Sequence, residues 1–313
     1  KEKKADVESK SIIQVPDVRL SYLIRAVGEE SSAYNSVMRI SSLCENGSVV
    51  EQPTTKLPTL FIIPGLEGIS SMMEPLSKNL DMQVLCLQYD MVGTSTTIEE
   101  MAASHYTLIE QRLSADQEFS IVGYSFGGLI AIEVLKLMEK NNRSGKLWLI
   151  DSAPQFLKMT TEFLIRGDNS PDQEIQVQLI LRFLDLVWPH NKIDFINELY
   201  QVNTWEERLN YFFDEVPVDV VHNQNYQKQL LNSAYIKLKA ILSYDGKPNG
   251  SLKTRALLIR PTEHVIPISE DYGLSEYFES AVTVHFVEGN HYSILENRKV
   301  AELISQSSSP KVL

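Results

Sequence analysis

The pentapeptide Gly123-Tyr124-Ser125-Phe126-Gly127 has the pattern G-x-S-x-G and lies where a short apolar run gives way to a longer apolar segment. The run has the length of a buried strand, and the segment has the length of a helix. A serine in such a turn is held in a strained backbone conformation, and the flanking glycines let strand and helix approach closely. The pattern predicts a nucleophile at Ser125, with a tightly packed turn without chemistry as the alternative.

A serine hydroxyl becomes nucleophilic when an imidazole takes its proton and an acid orients that imidazole. His291 follows the last predicted strand in Glu288-Gly289-Asn290-His291, at the sheet edge where ligands gather. His264, after the preceding strand, is the rival, but the order serine, acid, histidine favours His291. The other four histidines are His105, His190, His222 and His285. We expect their side chains to be solvated or packed, and we expect His105 to lie on a surface helix.

The acid has three candidates. Asp151 directly follows the predicted strand 147–150, one helix after the serine strand, so it should reach the same sheet edge as Ser125. An Asx turn or a helix cap is the ordinary alternative for this aspartate. Glu263 and Asp271 follow the next-to-last strand and remain open, because spacing alone favours Asp151 by only a small margin.

An oxyanion formed at the serine needs backbone N–H donors fixed in advance, each worth about 3 to 4 kcal/mol by the effect of removing one. Phe126, directly after the serine, supplies one N–H. We expect the second from Leu66, in the loop Pro64-Gly65-Leu66-Glu67-Gly68 that follows the predicted strand 60–63. An ordinary turn is the alternative for this loop.

Strand-like apolar runs alternate with segments of helical spacing on both sides of the serine, which predicts a parallel sheet covered by helices. The predicted strands are 60–63, 84–87, 119–122, 147–150, 256–259 and 282–287. The predicted helices between and after them are 72–80, 98–113, 126–140 and 294–305. The fold class is therefore α/β.

The alternation stops in the middle of the chain. Residues 155–250 contain no convincing strand, but their apolar residues have helical spacing in the segments 172–188, 193–200, 204–213 and 223–244. This predicts an all-helical insertion at 155–250 within a core formed by 57–154 and 251–306. Residues 1–56 are assigned as a linker and approach segment in which short edge strands remain open.

Composition excludes several classes of protein. The 313 residues include 29 Lys plus Arg and 41 Asp plus Glu, a net charge of −12 that repels nucleic acids and anionic lipid heads. No apolar run is long enough for a membrane helix, and the charged start is not a signal peptide. Cys44 and Cys86 cannot form a disulfide framework, so we expect a reducing, cytoplasmic location. Because the chain begins with Lys1, we expect it to be one piece of a longer polypeptide.

Four motifs in order resemble the thioesterase domain that ends animal fatty acid synthases, and the resemblance covers about residues 37–305. They are Leu60-Phe61-Ile62-Ile63-Pro64-Gly65-Leu66-Glu67-Gly68, Gly123-Tyr124-Ser125-Phe126-Gly127, Leu149-Ile150-Asp151-Ser152-Ala153-Pro154 and Glu288-Gly289-Asn290-His291. The resemblance implies an α/β-hydrolase fold with a helical lid before the penultimate strand. It also implies the roles of the site residues: Ser125 as nucleophile, Asp151 as acid, His291 as base, and Leu66 and Phe126 as oxyanion donors.

The chain departs from this family at two positions. Pro64-Gly65 stands where a His-Pro pair is usual, which leaves the exact oxyanion donor open. Asn290 stands where an aspartate usually precedes the catalytic histidine, and there we expect a change in local hydrogen bonding only.

The resemblance further implies a substrate: a long saturated acyl chain near palmitate, held as a thioester on the phosphopantetheine arm of an acyl carrier protein. The carrier is expected upstream in the same polypeptide, and the fragment is expected to be a monomer within a larger dimeric synthase. The protein itself would need no metal and no cofactor. Candidate substrate contacts, with core packing as the alternative for the lid residues, are Glu67, Tyr124, Phe163, Leu179, Phe183, Tyr211 and Phe212.

Three other functions remain open at this stage. A terminal thioesterase of polyketide or nonribosomal-peptide synthesis shares the chemistry and can cyclise its product. A catalytically dead relative would use the same sheet and lid as a lipid-binding module. A free lipase or carboxylesterase would prefer oxygen esters.

Overall fold

The computed structural model describes residues 35–40, 58–89, 95–165, 170–187, 193–216, 223–247, 251–264 and 266–308. Its strands are β1 (Val37–Arg39), β2 (Thr59–Ile63), β3 (Gln83–Leu87), β4 (Phe119–Tyr124), β5 (Gly145–Ile150), β6 (Ala256–Pro261) and β7 (Thr283–Val287). They form one seven-stranded sheet in the order β1-β3-β2-β4-β5-β6-β7. Among the strands of the described residues, the pairing of β1 with β3 is antiparallel and the others are parallel. The predicted α/β fold with a mostly parallel sheet is confirmed.

Helices cover both faces of the sheet. They are α1 (Glu74–Ser77), α2 (Ile98–Glu110), α3 (Phe126–Lys140), α4 (Pro154–Leu164), α5 (Pro171–Val187), α6 (Ile193–Gln201), α7 (Trp205–Glu215), α8 (Gln224–Ser243) and α9 (Arg298–Ser308). The helices α4 to α8 all lie between β5 and β6, in the range where the sequence predicts the helical lid. Strand β1 lies in the range assigned to the approach segment, where edge strands were left open.

Two local differences from the sequence prediction involve proline. In place of the predicted helix 72–80, the chain forms a 3-10 turn, Ser70–Met73, followed by the single α-helical turn α1. Pro75 lacks an N–H and fits only the first turn of a helix, so the α-helix begins beside it. The helix α4 is not among the predicted helices. It begins at Pro154, since a proline in the first helical turn has a preset φ and sacrifices no helical hydrogen bond.

The central strands are buried on both faces, which explains their uninterrupted apolar sequences. Side chains alternate across the sheet: Phe61, Ile121 and Leu149 pack in the cluster that contains α2 and α3. Ile62 and Val122 point to the opposite cluster, which contains α9. No helix in the described ranges is long and apolar enough to span a membrane.

The start of α3 packs directly against the end of β2. An added Cβ at Gly127 would overlap the backbone carbonyl oxygens of Ile63 and Pro64. These are main-chain atoms of a central strand and of the loop that follows it, so neither can move aside without disturbing the sheet.

We expect Gly127→Ala to lower the free energy of unfolding by about 1 to 3 kcal/mol, because overpacking forces the backbone apart. Urea unfolding followed by circular dichroism measures this loss. Lys140→Ala, at the exposed end of the same helix, is the matched control and should change stability by less than about 0.5 kcal/mol. Equal stability of Gly127→Ala and the parent protein would contradict the packing described above.

Candidate active site

Ser125 occupies the sharp turn between β4 and α3. Its backbone has φ 51° and ψ −123°, a conformation that residues with a side chain rarely adopt. The end of β5 and the loop after it hold this turn through two hydrogen bonds. The Ser125 N–H donates to the Ile150 carbonyl at 3.1 Å, and the Ser152 hydroxyl donates to the Ser125 carbonyl at 2.5 Å. The hydroxyl of Ser125 is therefore carried at the carboxyl edge of the sheet.

Three side chains from distant parts of the sequence meet at this edge. His291 Nε2 lies 3.0 Å from Ser125 Oγ, and His291 Nδ1 lies 2.6 Å from Asp151 Oδ2. An ionised carboxylate only accepts hydrogen bonds, so Nδ1 carries the proton and Nε2 can accept from the serine hydroxyl. The side chain of Asp151 is 2% exposed, while that of His291 is 30% exposed and can meet a substrate.

Asp151 is held at its backbone and at both carboxylate oxygens. Its N–H donates to the Ile259 carbonyl at 2.8 Å, which continues the ladder between β5 and β6. Its second oxygen, Oδ1, accepts a hydrogen bond from the Tyr272 hydroxyl at 2.6 Å. Tyr272 is fully buried and stacks on Phe156 with ring centroids 4.2 Å apart. Burial and the adjacent Asp151 carboxylate raise the pKa of Tyr272, so its hydroxyl keeps the proton that it donates.

Backbone strain concentrates in this network. Five non-glycine residues of the described chain have positive φ, and two of them are asparagines, which tolerate the left-handed region. The other three are Ser125, Asp151 and Tyr272, with φ of 51°, 44° and 57°. Such conformations cost about 1 to 3 kcal/mol each and persist where the surroundings fix them, typically at functional sites.

Tyr124, a predicted substrate contact, is buried beneath the loop that carries His291. It is 1% exposed, its hydroxyl donates to the His291 carbonyl at 2.8 Å, and its ring stacks on the imidazole at 5.1 Å. The expectation of a substrate contact is therefore corrected: Tyr124 supports the loop that carries His291. Its neighbour in the predicted set, Glu67, is half-buried in the loop after β2.

The rival base His264 and the rival acid Asp271 form other hydrogen bonds. His264 is exposed and accepts from Arg260 at 2.5 Å through Nε2, while its Nδ1 donates to the Ile266 carbonyl at 3.0 Å. Asp271 caps a turn by accepting the N–H groups of Gly273 and Ser275. Glu263 is exposed.

The remaining histidines lie outside the network. His105 was expected on a surface helix, but it is 3% exposed because α2 turns this position towards β3, where His105 Nε2 lies 3.3 Å from the Leu87 carbonyl. His285 is half-buried on the edge strand β7. His190 and His222 lie outside the described residues.

The expected oxyanion donors come from two elements, the loop after β2 and the start of α3. The loop after β2 forms a turn in which the Gly68 N–H donates to the Gly65 carbonyl at 3.1 Å, and Leu66 is the first of its two central residues. Phe126 is the first residue of α3. Within the described ranges, neither the Leu66 N–H nor the Phe126 N–H donates to another protein atom. Both are free to bind an anionic oxygen.

Apolar lid residues that were expected to contact substrate mostly form the lid's own core. Phe183 and Phe212 are buried in a cluster separate from the two clusters that flank the sheet, and Leu179 and Tyr211 pack against it. Phe163, on α4, is 49% exposed. The expectation is corrected for Phe183 and Phe212, because amphipathic helices that pack together bury their apolar faces. Leu179 and Tyr211 are half-buried, and for them and Phe163 substrate contact stays a prediction.

One feature of the site escapes a sequence search. Tyr272 carries no motif, and it lies 121 positions from its partner Asp151. In the described ranges, no group of three or more His, Cys, Asp or Glu is placed to hold a metal ion.

Similar solved structures share this architecture. Holo-AB3403, a four-domain nonribosomal peptide synthetase bound to AMP and glycine, matches with a TM-score of 0.66 and 16% identity, and the match covers 93% of this chain but 21% of that one. The Vlm2 thioesterase domain bound with a dodecadepsipeptide matches with a TM-score of 0.58 and 15% identity, and the match covers 88% of this chain and 98% of that one. The type II thioesterase BorB from the borrelidin biosynthetic cluster matches with a TM-score of 0.53 and 16% identity, and the match covers 82% of this chain and 94% of that one. At these identities the similarity shows a shared fold.

The sequence also matches a protein family as a whole. The match is to the thioesterase domain family and runs over residues 58–308, from the first residue before β2 to the end of α9. It therefore includes the sheet from β2 onward, the helical insertion and all three residues of the Ser125, His291 and Asp151 network. This chain belongs to the thioesterase domain family.

Proposed function

We propose that this chain is a serine thioesterase that releases an acyl group from the phosphopantetheine arm of a carrier protein. The hydrogen-bonded series from Ser125 through His291 to Asp151 is the observation that supports it. The same geometry disfavours a catalytically dead binding module, because such a module has no need of a buried acid aligned on a base and a strained serine.

The reaction divides into two halves. His291 Nε2 takes the Ser125 proton as Oγ attacks the thioester carbonyl, and the Leu66 and Phe126 amides bind the oxyanion. The C–S bond then breaks, and the proton on His291 passes to the departing thiol. In the second half His291 deprotonates water, which attacks the acyl-serine and returns the hydroxyl to Ser125. These steps are proposed to need no metal ion and no cofactor of the protein.

The structural comparisons favour one class of acyl group. A nonribosomal peptide synthetase, a depsipeptide-bound thioesterase domain and a thioesterase from a borrelidin biosynthetic cluster are among the similar structures. They support a carrier-bound product of polyketide or nonribosomal-peptide synthesis. A fatty acyl chain near palmitate, released from a fatty acid synthase, is the second candidate, and the four sequence motifs support it.

Replacement of the nucleophile is the direct test. We expect Ser125→Ala to lower kcat for acyl thioester hydrolysis by roughly 10⁴- to 10⁶-fold, because a serine, its base and its acid act as one unit. Intact mass measured after brief exposure of the parent protein to acyl thioester should show one acyl adduct, absent from the variant. Ser104→Ala, exposed on α2, is the control. Undiminished turnover by Ser125→Ala would remove Ser125 from the mechanism.

Tyr272 allows a finer test. We expect Tyr272→Phe to lower kcat by about 10-fold, since the buried Asp151 carboxylate loses a charge-assisted hydrogen bond and its hold on His291 loosens. Steady-state kinetics give the value. Tyr277→Phe changes another buried tyrosine, outside the network, and should leave kcat within about twofold, a free-energy change of about 0.4 kcal/mol. Equal kcat for Tyr272→Phe and Tyr277→Phe would contradict a role for the Tyr272 hydroxyl.

The nature of the substrate is tested with carrier-bound thioesters. We expect kcat/KM to be higher for an acyl group on a holo carrier protein than for the same acyl group on N-acetylcysteamine. A palmitoyl group and a hydroxyacyl-peptidyl group on the same carrier then separate the two candidates. Faster release of palmitate would favour the fatty acid synthase, and equal rates on the carrier and on N-acetylcysteamine would argue against carrier recognition.

A further inference from the structure

A buried lysine joins the lid to the loop that holds the proposed oxyanion donor. Lys237, on lid helix α8, is 2% exposed. Its Nζ donates to the Leu66 carbonyl at 2.8 Å and lies 4.3 Å from the centroid of the Tyr89 ring. Removing an ammonium group from water is costly unless it is paired, and here the direct partners are one carbonyl and one ring face. The lysine therefore has a role other than favourable burial.

The contact falls between two carbonyls of the loop that Tyr89 holds. Tyr89 holds the carbonyls on either side, since its hydroxyl donates to Pro64 and its N–H donates to Gly68, both at 3.2 Å. The Leu66 carbonyl between them accepts from Lys237. Among these donors of the described chain, only Lys237 comes from the lid. The position of α8 and the shape of this loop are thus linked.

The carbonyl that Lys237 holds belongs to the central peptide of the Gly65–Gly68 turn. Rotation of that peptide distinguishes the common turn types from one another, so a donor fixed on its oxygen selects one conformation. Gly68, with φ 76°, gives the ammonium its space, because a Cβ there would lie 2.7 Å from Lys237 Nζ.

The same lysine also reaches the other proposed oxyanion donor through one aromatic ring. The ring of Tyr89 packs edge-on against the ring of Phe126, with centroids 5.5 Å apart. Lys237 lies over the Tyr89 ring. The residues of both proposed donors, Leu66 and Phe126, therefore meet the pair formed by Lys237 and Tyr89.

We propose that Lys237 is a positioning residue that fixes the conformation of the Gly65–Gly68 turn when lid helix α8 is docked, and through that turn the position of the Leu66 N–H relative to the reacting carbonyl. This inference rests on the proposed thioesterase function and adds a link between the lid and catalysis. Lys237 touches neither Ser125 nor the substrate in this role. It acts through the Leu66 carbonyl.

The protonation of Lys237 provides a signature of its burial. Desolvation lowers the pKa of Lys237 to about 7, against the attraction of Glu67. His105 on α2 and Tyr89 after β3 are the other titratable groups that face it. Between pH 7 and the ordinary lysine pKa of 10.5, the unfolded chain binds a proton that the folded chain lacks, so this group makes stability rise with pH. Removal of the lysine should remove that rise.

The test compares Lys237→Met with Lys239→Met. Lys239 is exposed on the same helix and pairs with Asp172 at 3.1 Å, far from the loop in its contacts. With the acetyl thioester of N-acetylcysteamine, a substrate too short to require the lid, we expect Lys237→Met to lose on the order of 10- to 100-fold in kcat with KM unchanged. Its melting temperature should exceed that of the parent by more at pH 6 than at pH 9. Lys239→Met should match the parent in kcat and in this pH dependence.

Three results would overturn the inference. They are an unchanged kcat in Lys237→Met, a fall in kcat fully accounted for by a fall in the folded fraction, and unchanged hydrogen exchange at the Gly68 amide. Lys237→Arg keeps a donor and provides a second variant: it should retain more activity than the Met variant, and equal losses in both would also contradict the inference. Absence of thioester hydrolysis by the parent protein would instead refute the proposed function.

Discussion

Two backbone hydrogen bonds beyond the strand ends hold the candidate site together. The Ser125 N–H donates to Ile150 at 3.1 Å, and the Asp151 N–H donates to Ile259 at 2.8 Å, so the ladder across β4, β5 and β6 continues one step into the loops. Both residues keep this pairing although their φ angles are positive. A slip of one residue in register would reverse every side chain of a strand, so the buried faces of the sheet also fix the direction of these two side chains.

The site is strained, and its surroundings counter the strain with burial and hydrogen bonds. Ser125, Asp151 and Tyr272 lie in unfavourable backbone regions within one connected network. The Asp151 carboxylate has a donor on each oxygen, which satisfies a charge that burial would otherwise penalise. The stack of Tyr272 on Phe156 brings the lid-side helix α4 against this network. Precise placement of the acid thus depends on packing contributed from outside the motifs.

The lid combines an apolar core of its own with apolar and polar contacts to the sheet. Its apolar cluster joins α5 to α8 and is distinct from the clusters on the two faces of the sheet. Helix α8 also places Ala240 and Ile241 in one apolar cluster of the sheet and Tyr226 and Leu230 in the other, so lid and sheet share packing at this helix. The hydrogen bond from Lys237 to the Leu66 carbonyl lies at the junction of the two units. Such a contact couples the position of α8 to the loop that carries the proposed oxyanion donor.

Local patterns in the sequence determined the elements and most of the proposed triad. Ser125 follows from a pentapeptide whose glycines are required by a close strand-to-helix turn, and the apolar runs of a doubly covered sheet are continuous enough to identify. His291 and Asp151 follow from their positions after strands, although spacing alone left Glu263 and Asp271 open.

Only the tertiary structure decided which groups surround these residues. Lys237 is 171 positions from Leu66, and neither it nor Tyr272 has a neighbour in sequence that marks its contact. Helical spacing identified the apolar faces of the lid but not what covers them, so both a groove and a core stayed open for Phe183 and Phe212. Periodicity reports the direction of a side chain within its own element, whereas burial and pairing depend on the elements that pack against it.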